Sequence, residues 1–176
     1  RKSIGKLSEA AIEHTDRKVS SRINWIRPPY ALPELEFLLA CTRCDACVNA
    51  CPHNVIFKLV PRTGPEVVGT PALDLLNRAC HLCEEWPCVT SCEPKALLLP
   101  EVEQPPLPKL ASATINTETC LPYLGPECGA CRDSCPVDNA LLWKNECPEI
   151  NSDICTGCAL CREACVIEPK AIDISL

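Results

Sequence analysis

Apolar residues in this chain of 176 come in short runs set between polar, cysteine-bearing segments. Asn54 to Val60, Ala96 to Leu99, Ala140 to Trp143 and Ala171 to Ile174 are such runs, and each follows a group of cysteines. Ala113 to Asn116 and Glu149 to Asn151 are further candidate strands. Pro33 to Ala40 and Pro71 to Ala79 read as helices, each with proline in its first turn. Pro100 to Leu110 holds four prolines and predicts an extended connector. No internal segment approaches the roughly eighteen consecutive apolar residues a membrane-spanning helix needs. The pattern predicts a loop-rich α+β fold of short helices and strands.

Those elements carry little to build a core from. The chain has two Phe, two Tyr, three Trp, no Met and eighteen Pro, a poor inventory for a large apolar interior. It has seventeen Cys instead. Cys41, Cys44, Cys47 and Cys51, followed by Pro52, form the CxxCxxCxxxCP run of bacterial ferredoxins, in which three thiolates hold one cluster and the fourth reaches another. Cys155, Cys158, Cys161 and Cys165 repeat the spacing with Val166 in place of proline. Cys80, Cys83, Cys88 and Cys92 form a set with a widened gap between the second and third cysteines. Cys120, Cys128, Cys131 and Cys135, followed by Pro136, form one with a widened first gap.

Four complete sets imply four 4Fe-4S clusters. Structural zinc sites usually offer two CxxC-like halves a dozen or more residues apart, whereas here the thiols crowd together. A disulfide scaffold is the other reading of so much cysteine, but cysteines three apart on a turn pair poorly, and such scaffolds seldom repeat one tight spacing. Clusters that cross-link distant segments would replace the missing core. The formal charge of −6 would gain about −8 more from sixteen thiolates around four oxidised cubes. An acidic holoprotein of that kind argues against nucleic acid and for docking on basic protein patches.

The spacings also suggest how loops share clusters. Sets one and four are undistorted while sets two and three carry expansions, so like would pair with like under pseudo-two-fold symmetry. The expected arrangement is nested: two ferredoxin-like two-cluster modules, sets one and four forming one and sets two and three the other. Cys165 would then complete the group of Cys41, Cys44 and Cys47, and Cys51 that of Cys155, Cys158 and Cys161. Cys135 would join Cys80, Cys83 and Cys88, and Cys92 would join Cys120, Cys128 and Cys131. Sequential pairing is the rival. The expected division is an arm and Pro turn over 1–32 and a body over 33–176.

The segments Arg27-Pro-Pro-Tyr30 and Phe37-Leu-Leu-Ala-Cys-Thr-Arg-Cys-Asp-Ala-Cys-Val-Asn-Ala-Cys-Pro52 resemble ferredoxin-type proteins of periplasmic nitrate reduction (NapF and NapG types) and methylamine utilisation (MauM type). The likeness continues through Cys80-His-Leu-Cys-Glu-Glu-Trp-Pro-Cys-Val-Thr-Ser-Cys92, Cys120-Leu-Pro-Tyr-Leu-Gly-Pro-Glu-Cys128 and Cys155-Thr-Gly-Cys-Ala-Leu-Cys-Arg-Glu-Ala-Cys-Val166. The gap before Cys88 and the missing proline after Cys165 are closer to NapG and MauM than to NapF. The resemblance implies an electron-transfer protein with four 4Fe-4S clusters, between a membrane quinol dehydrogenase and periplasmic acceptors. The second set also resembles iron–sulfur subunits of molybdopterin oxidoreductases, and a cluster-assembly role has been suggested for some NapF types. A periplasmic location, associated with the membrane through a partner, follows only from the resemblance; the cytoplasm is the alternative.

All four sets are complete, so no open iron for chemistry is expected. Nor is there a GxGxxG run or a Ser/His/Asp constellation. The expectation is a carrier, not an enzyme. His53, His81, Arg43 and Arg132 read as polar or solvated groups beside cluster loops. Trp86 and Trp143 read as packing residues that could also shield clusters. Cys147, the seventeenth thiol, falls in an expected linker beside Pro148 and reads as a bystander. Arg1 to Arg27 carries seven Lys or Arg, with Ser8 to His14 expected to be helical, and reads as a solvated tail or a basic docking arm. The absence of an initiating Met suggests processing or further residues.

Overall fold

The structure, a computed structural model, describes residues 25–176. The expected arm, with its helix from Ser8 to His14, lies outside the described residues. Helix α1 (Glu34–Ala40) starts where expected: Pro33 precedes it, and Glu34 and Glu36 stand in its positive first turn. Phe37 on this helix is wholly buried. Arg27 locks the helix to the rest of the molecule. Its guanidinium donates to both carboxylate oxygens of Glu34, at 2.9 and 2.6 Å, and to Thr70 Oγ1 and Pro71 O at 2.8 and 2.7 Å. It also lies 4.5 Å from the centre of the Phe37 ring. The expected boundary at 32/33 therefore does not hold for the described part of the arm. Ile26 bridges Leu73, Ala31 bridges Leu97, and Leu32 N–H donates to Ala96 O, so residues 25–32 belong to the body.

The remaining elements are short: α2 (Ala46–Ala50), β1 (Ile56–Lys58), β2 (Pro71–Leu73), α3 (Pro87–Thr90), β3 (Ser112–Ile115), α4 (Leu121–Leu124), β4 (Leu141–Lys144), β5 (Cys147–Ile150), α5 (Leu160–Ala164) and β6 (Ile172–Ser175). They form three antiparallel pairs. β1 pairs with β2, Ile56 opposite Leu73; β3 with β6, Ser112 opposite Ser175; and β4 with β5, Leu141 opposite Ile150. The mixed, loop-rich α+β character agrees with the pattern of short apolar runs.

Two expectations fail locally. The helix expected from Pro71 to Ala79 is instead strand β2 followed by a turn over Asp74 to Arg78. Proline fits as well at the first position of a two-stranded ribbon as in a helix's first turn. Pro71, Ala72 and Leu73 are all buried, so long-range pairing with β1 overrides the local signal. The second failure is the expected linker at Cys147. Asn145 and Glu146 both have positive φ (49° and 64°), the two-residue type I′ geometry of a tight hairpin, and Cys147 begins β5 opposite Lys144. The Pro100 to Leu110 connector forms no regular element, as expected.

Core residues from the two halves intermix. Ala79, Cys80, Cys88 and Leu97 share one buried cluster with Ala111, Cys158 and Ala159, while Ala113, Cys131 and Ile172 form another.

Candidate metal centres

The cysteine loops repeat one backbone device. In sets one, two and four the residue before the second cysteine is left-handed: Arg43, Leu82 and Gly157. So is the residue two before the third cysteine: Asp45, Trp86 and Ala159. Left-handed residues among ordinary ones turn successive N–H groups toward one concavity, a nest suited to an anionic group. Each second left-handed residue then starts a short helix, α2, α3 or α5, with the third cysteine in its first turn. The fourth cysteine follows that helix at once in sets one and four. Four helical residues rise about 6 Å, which carries Cys51 and Cys165 away from their own sets. Set three departs from this. Its widened gap holds α4, ended by Gly125 at φ 108°, and Gly129 has no such positive φ.

Sixteen thiols gather in four groups. At site A, Cys41, Cys44, Cys47 and Cys92 line one cavity; burial first, then the thiolates of Cys92, Cys41 and Cys44, push Cys47 up to about 11. At site B, Cys88 is pushed up to about 12 by burial and by Cys80, Cys51, Cys47 and Cys83. At site C, Cys161 is likewise pushed up to about 12, by burial and then Cys158, Cys155, Cys131 and Cys135. At site D, Cys120, Cys128, Cys131 and Cys165 line a second cavity, and burial, Cys120, Cys165 and Cys128 push Cys131 up to about 11.

The pairing is therefore sequential, and the nested expectation is corrected. Sets one and two exchange their fourth cysteines, Cys92 entering site A and Cys51 site B. Sets three and four do the same, Cys165 entering site D and Cys135 site C. Strand pairing decides this: β1–β2 closes the first half on itself and β3–β6 the second. The expansions only change loops locally, as α4 and the Glu84-Glu85-Trp86-Pro87 insertion show.

The sites also fall in an order. Cys47 of A neighbours Cys88 of B, Cys80 of B neighbours Cys158 of C, and Cys161 of C neighbours Cys131 of D. The row is A, B, C, D.

The donor chemistry fits a multi-metal core. Among the described residues, no three His, Cys, Asp or Glu side chains converge closely enough to hold a single ion. Thiols ringed about a void suit a larger anionic core. Amide N–H groups already face the sulfurs: Leu97 N–H reaches Cys92 Sγ and Gly157 N–H reaches Cys155 Sγ, both at 3.4 Å. The backbone at Leu82 and Leu160 donates similarly to Cys80 and Cys158. Such bonds favour the thiolate form.

Other flagged residues have definite places. His53 and His81 stack on each other, 3.5 Å between ring centres and 5° from parallel. His81 Nε2 lies 3.6 Å from Glu163 beside the B–C junction, and burial, then His81, lowers His53. Arg43 is not simply solvated: it donates to Val68 O and Glu66 O at 2.9 and 2.8 Å. Trp86 packs edge-on against Tyr30, ring centres 4.9 Å apart. Arg132 lies 4.6 Å over the Trp143 ring. Cys147 sits near enough to Cys120 and Tyr123 to raise both, after burial. Sequence reasoning missed the Arg27–Glu34 pair altogether; its one signal was two opposite charges flanking a proline-rich turn.

A family described as "4Fe-4S binding domain" matches residues 39–57, which hold Cys41, Cys44, Cys47 and Cys51. The ferredoxin-type protein NapG of Haemophilus influenzae is 34% identical over 85% of this chain and 58% of its own length. The methylamine utilization ferredoxin-type protein MauM of Paracoccus denitrificans is 34% identical over 97% of the chain and 79% of its own. This chain belongs to the NapG/MauM family of ferredoxin-type proteins. NapF of Escherichia coli is 33% identical over 82% of each chain. The chain thus spans little more than half of the Haemophilus NapG. No solved structure matches. Among the described residues, no helix is long and apolar enough to cross a membrane.

Proposed function

We propose that this NapG/MauM-family chain is an electron-transfer protein carrying four 4Fe-4S clusters and catalysing no reaction of its own. The observation that carries this is the gathering of sixteen thiols into four complete groups in the row A, B, C, D. Cys41, Cys44, Cys47 and Cys92 hold the first cluster and Cys51, Cys80, Cys83 and Cys88 the second. Cys135, Cys155, Cys158 and Cys161 hold the third, and Cys120, Cys128, Cys131 and Cys165 the fourth. A 4Fe-4S cluster, when bound, takes up and gives back one electron. The residues of the chain do the rest. Their thiolates fix the spacing, the left-handed loop residues aim N–H groups at sulfur, and the buried walls keep water from the inner sites.

The two ends of the row make two docking faces the natural pair, one for a donor and one for an acceptor. We place its partners among redox proteins of nitrate-reduction and methylamine systems, with a membrane quinol dehydrogenase as donor and the periplasm as the location, on the resemblance of its cysteine segments to NapG- and MauM-type proteins. MauM's own name speaks of methylamine utilization. The acidic body favours salt-sensitive docking, and residues 1–22, with six Lys or Arg, serve as a basic arm for it. The test is a potentiometric titration followed by EPR, together with partner affinity against ionic strength with and without residues 1–22. Four one-electron centres, and weaker binding with unchanged iron after truncation, are expected. Turnover of a substrate by the isolated protein would overturn the reading.

A further inference from the structure

Among the described residues only three buried side-chain nitrogen or oxygen atoms have no hydrogen-bond partner: Trp25 Nε1, Asp45 Oδ1 and Trp143 Nε1. Interiors rarely leave such atoms unpaired, because water's hydrogen bond is lost and nothing replaces it. Trp25 borders surface clefts that hold no cysteine, and its chain neighbour lies outside the described residues. Asp45 is half satisfied, since its other oxygen accepts from Lys58 at 2.7 Å. Trp143 is different. It lines the site D cavity beside Cys120, Cys128, Cys131 and Cys165, and every other side chain in that lining is apolar.

We propose that the Trp143 indole N–H is a hydrogen-bond donor to a sulfur of the cluster at site D and raises that cluster's reduction potential. Indole nitrogen can only donate, so it needs an acceptor, and in an apolar lining the acceptors are thiolate or sulfide sulfurs. Hydrogen bonds to the sulfurs are among the factors that set cluster potentials. Each stabilises the more negative, reduced state more than the oxidised one. The Arg132 guanidinium over the same ring acts in the same direction, drawing density from the indole and adding positive charge beside the site. Position gives the bond its significance, because site D ends the row and faces whatever partner meets that end. Site A, at the other end, is lined by no tryptophan, and the Arg43 guanidinium beside it donates to two backbone carbonyls.

The inference rests on the four-cluster reading, and its test separates the two. The potentials of wild-type and Trp143→Phe holoprotein are titrated anaerobically with dithionite as electron donor, with iron counted in each. With full iron in both, one of four potentials should fall by about tenfold in its reduction equilibrium, about 59 mV for one electron, and three should stay. Four unchanged potentials would overturn the inference and leave the four-cluster reading standing. Wild-type iron short of four clusters would overturn that reading and the inference with it. If Trp143→Phe loses iron, pulsed EPR of reduced wild-type protein carrying 15N-indole decides. A coupled indole nitrogen that persists in Trp86→Phe is expected; no coupled 15N would overturn the bond.

Discussion

The backbone N–H of Cys80 donates to the carbonyl of Cys158 at 2.9 Å, so sites B and C are joined by the chain's own hydrogen bonding. Glu163 reinforces the junction by accepting from Ala79 N–H at 3.3 Å and lying near His81. The two halves thus meet at their inner sites, which leaves A and D at the ends of the row.

Exchange of fourth cysteines makes a directional prediction. Cys165→Ser should perturb the cluster held by Cys120, Cys128 and Cys131 and leave the other three unaltered, and Cys92→Ser should do the same at the Cys41, Cys44 and Cys47 site. EPR and Mössbauer spectra of the two variants check this. A Cys165→Ser change in the spectrum assigned to site A would restore the nested pairing.

Gly157 tests the nest at site C. It has φ +71°, and a Cβ there would stand 2.1 Å from Ala111 O, so Gly157→Ala should cost the cluster at site C, about a quarter of the iron. A Cβ at Gly129 would meet nothing within 4 Å, and Gly129→Ala should retain all of it. Iron per chain in the two variants is the measurement.

The four sets of cysteines were legible because residues spaced as cluster ligands recur at fixed local intervals, which mark three members of each group without reference to the fold. Pairing was not, since it depends on which strands meet. The register of Ile56 with Leu73 and of Ala113 with Ile174 is a long-range outcome, and loop expansion proved to be unrelated to it. Pro71 misled for a related reason, being equally at home in a helix's first turn and at a strand's start. The hairpin at Asn145-Glu146 was hidden because Glu is an unusual residue for its second, left-handed position.

The Arg27–Glu34 pair should be costly to break. Both side chains are nearly buried, 9% and 5% exposed, so Arg27→Met strands a carboxylate between α1 and β2. Losing one partner of a buried pair costs about 3–5 kcal/mol, or roughly 6–20 °C in the thermal midpoint of a protein this size. Thermal loss of cluster absorbance in the holoprotein reads this, and a midpoint within a degree or two of wild type would contradict it.

Stability of the metal-free chain should fall at alkaline pH. Burial holds Cys88 and Cys161 at about 12 and Cys47, Cys80 and Cys131 at about 11, against an ordinary 9.0. The folded thiols keep their protons where the unfolded ones lose them. Their contribution is fully present below about pH 9 and is lost as pH rises toward 11–12. Denaturant titrations of the apoprotein across that range should show the decline. The loaded protein, whose thiolates are already ligated, should not show it.

The most direct measurement is the iron and acid-labile sulfide content of anaerobically purified, fully loaded protein. Four complete thiolate groups predict about sixteen of each per chain. Tightly bound zinc, or a ceiling of about eight iron, would contradict the account.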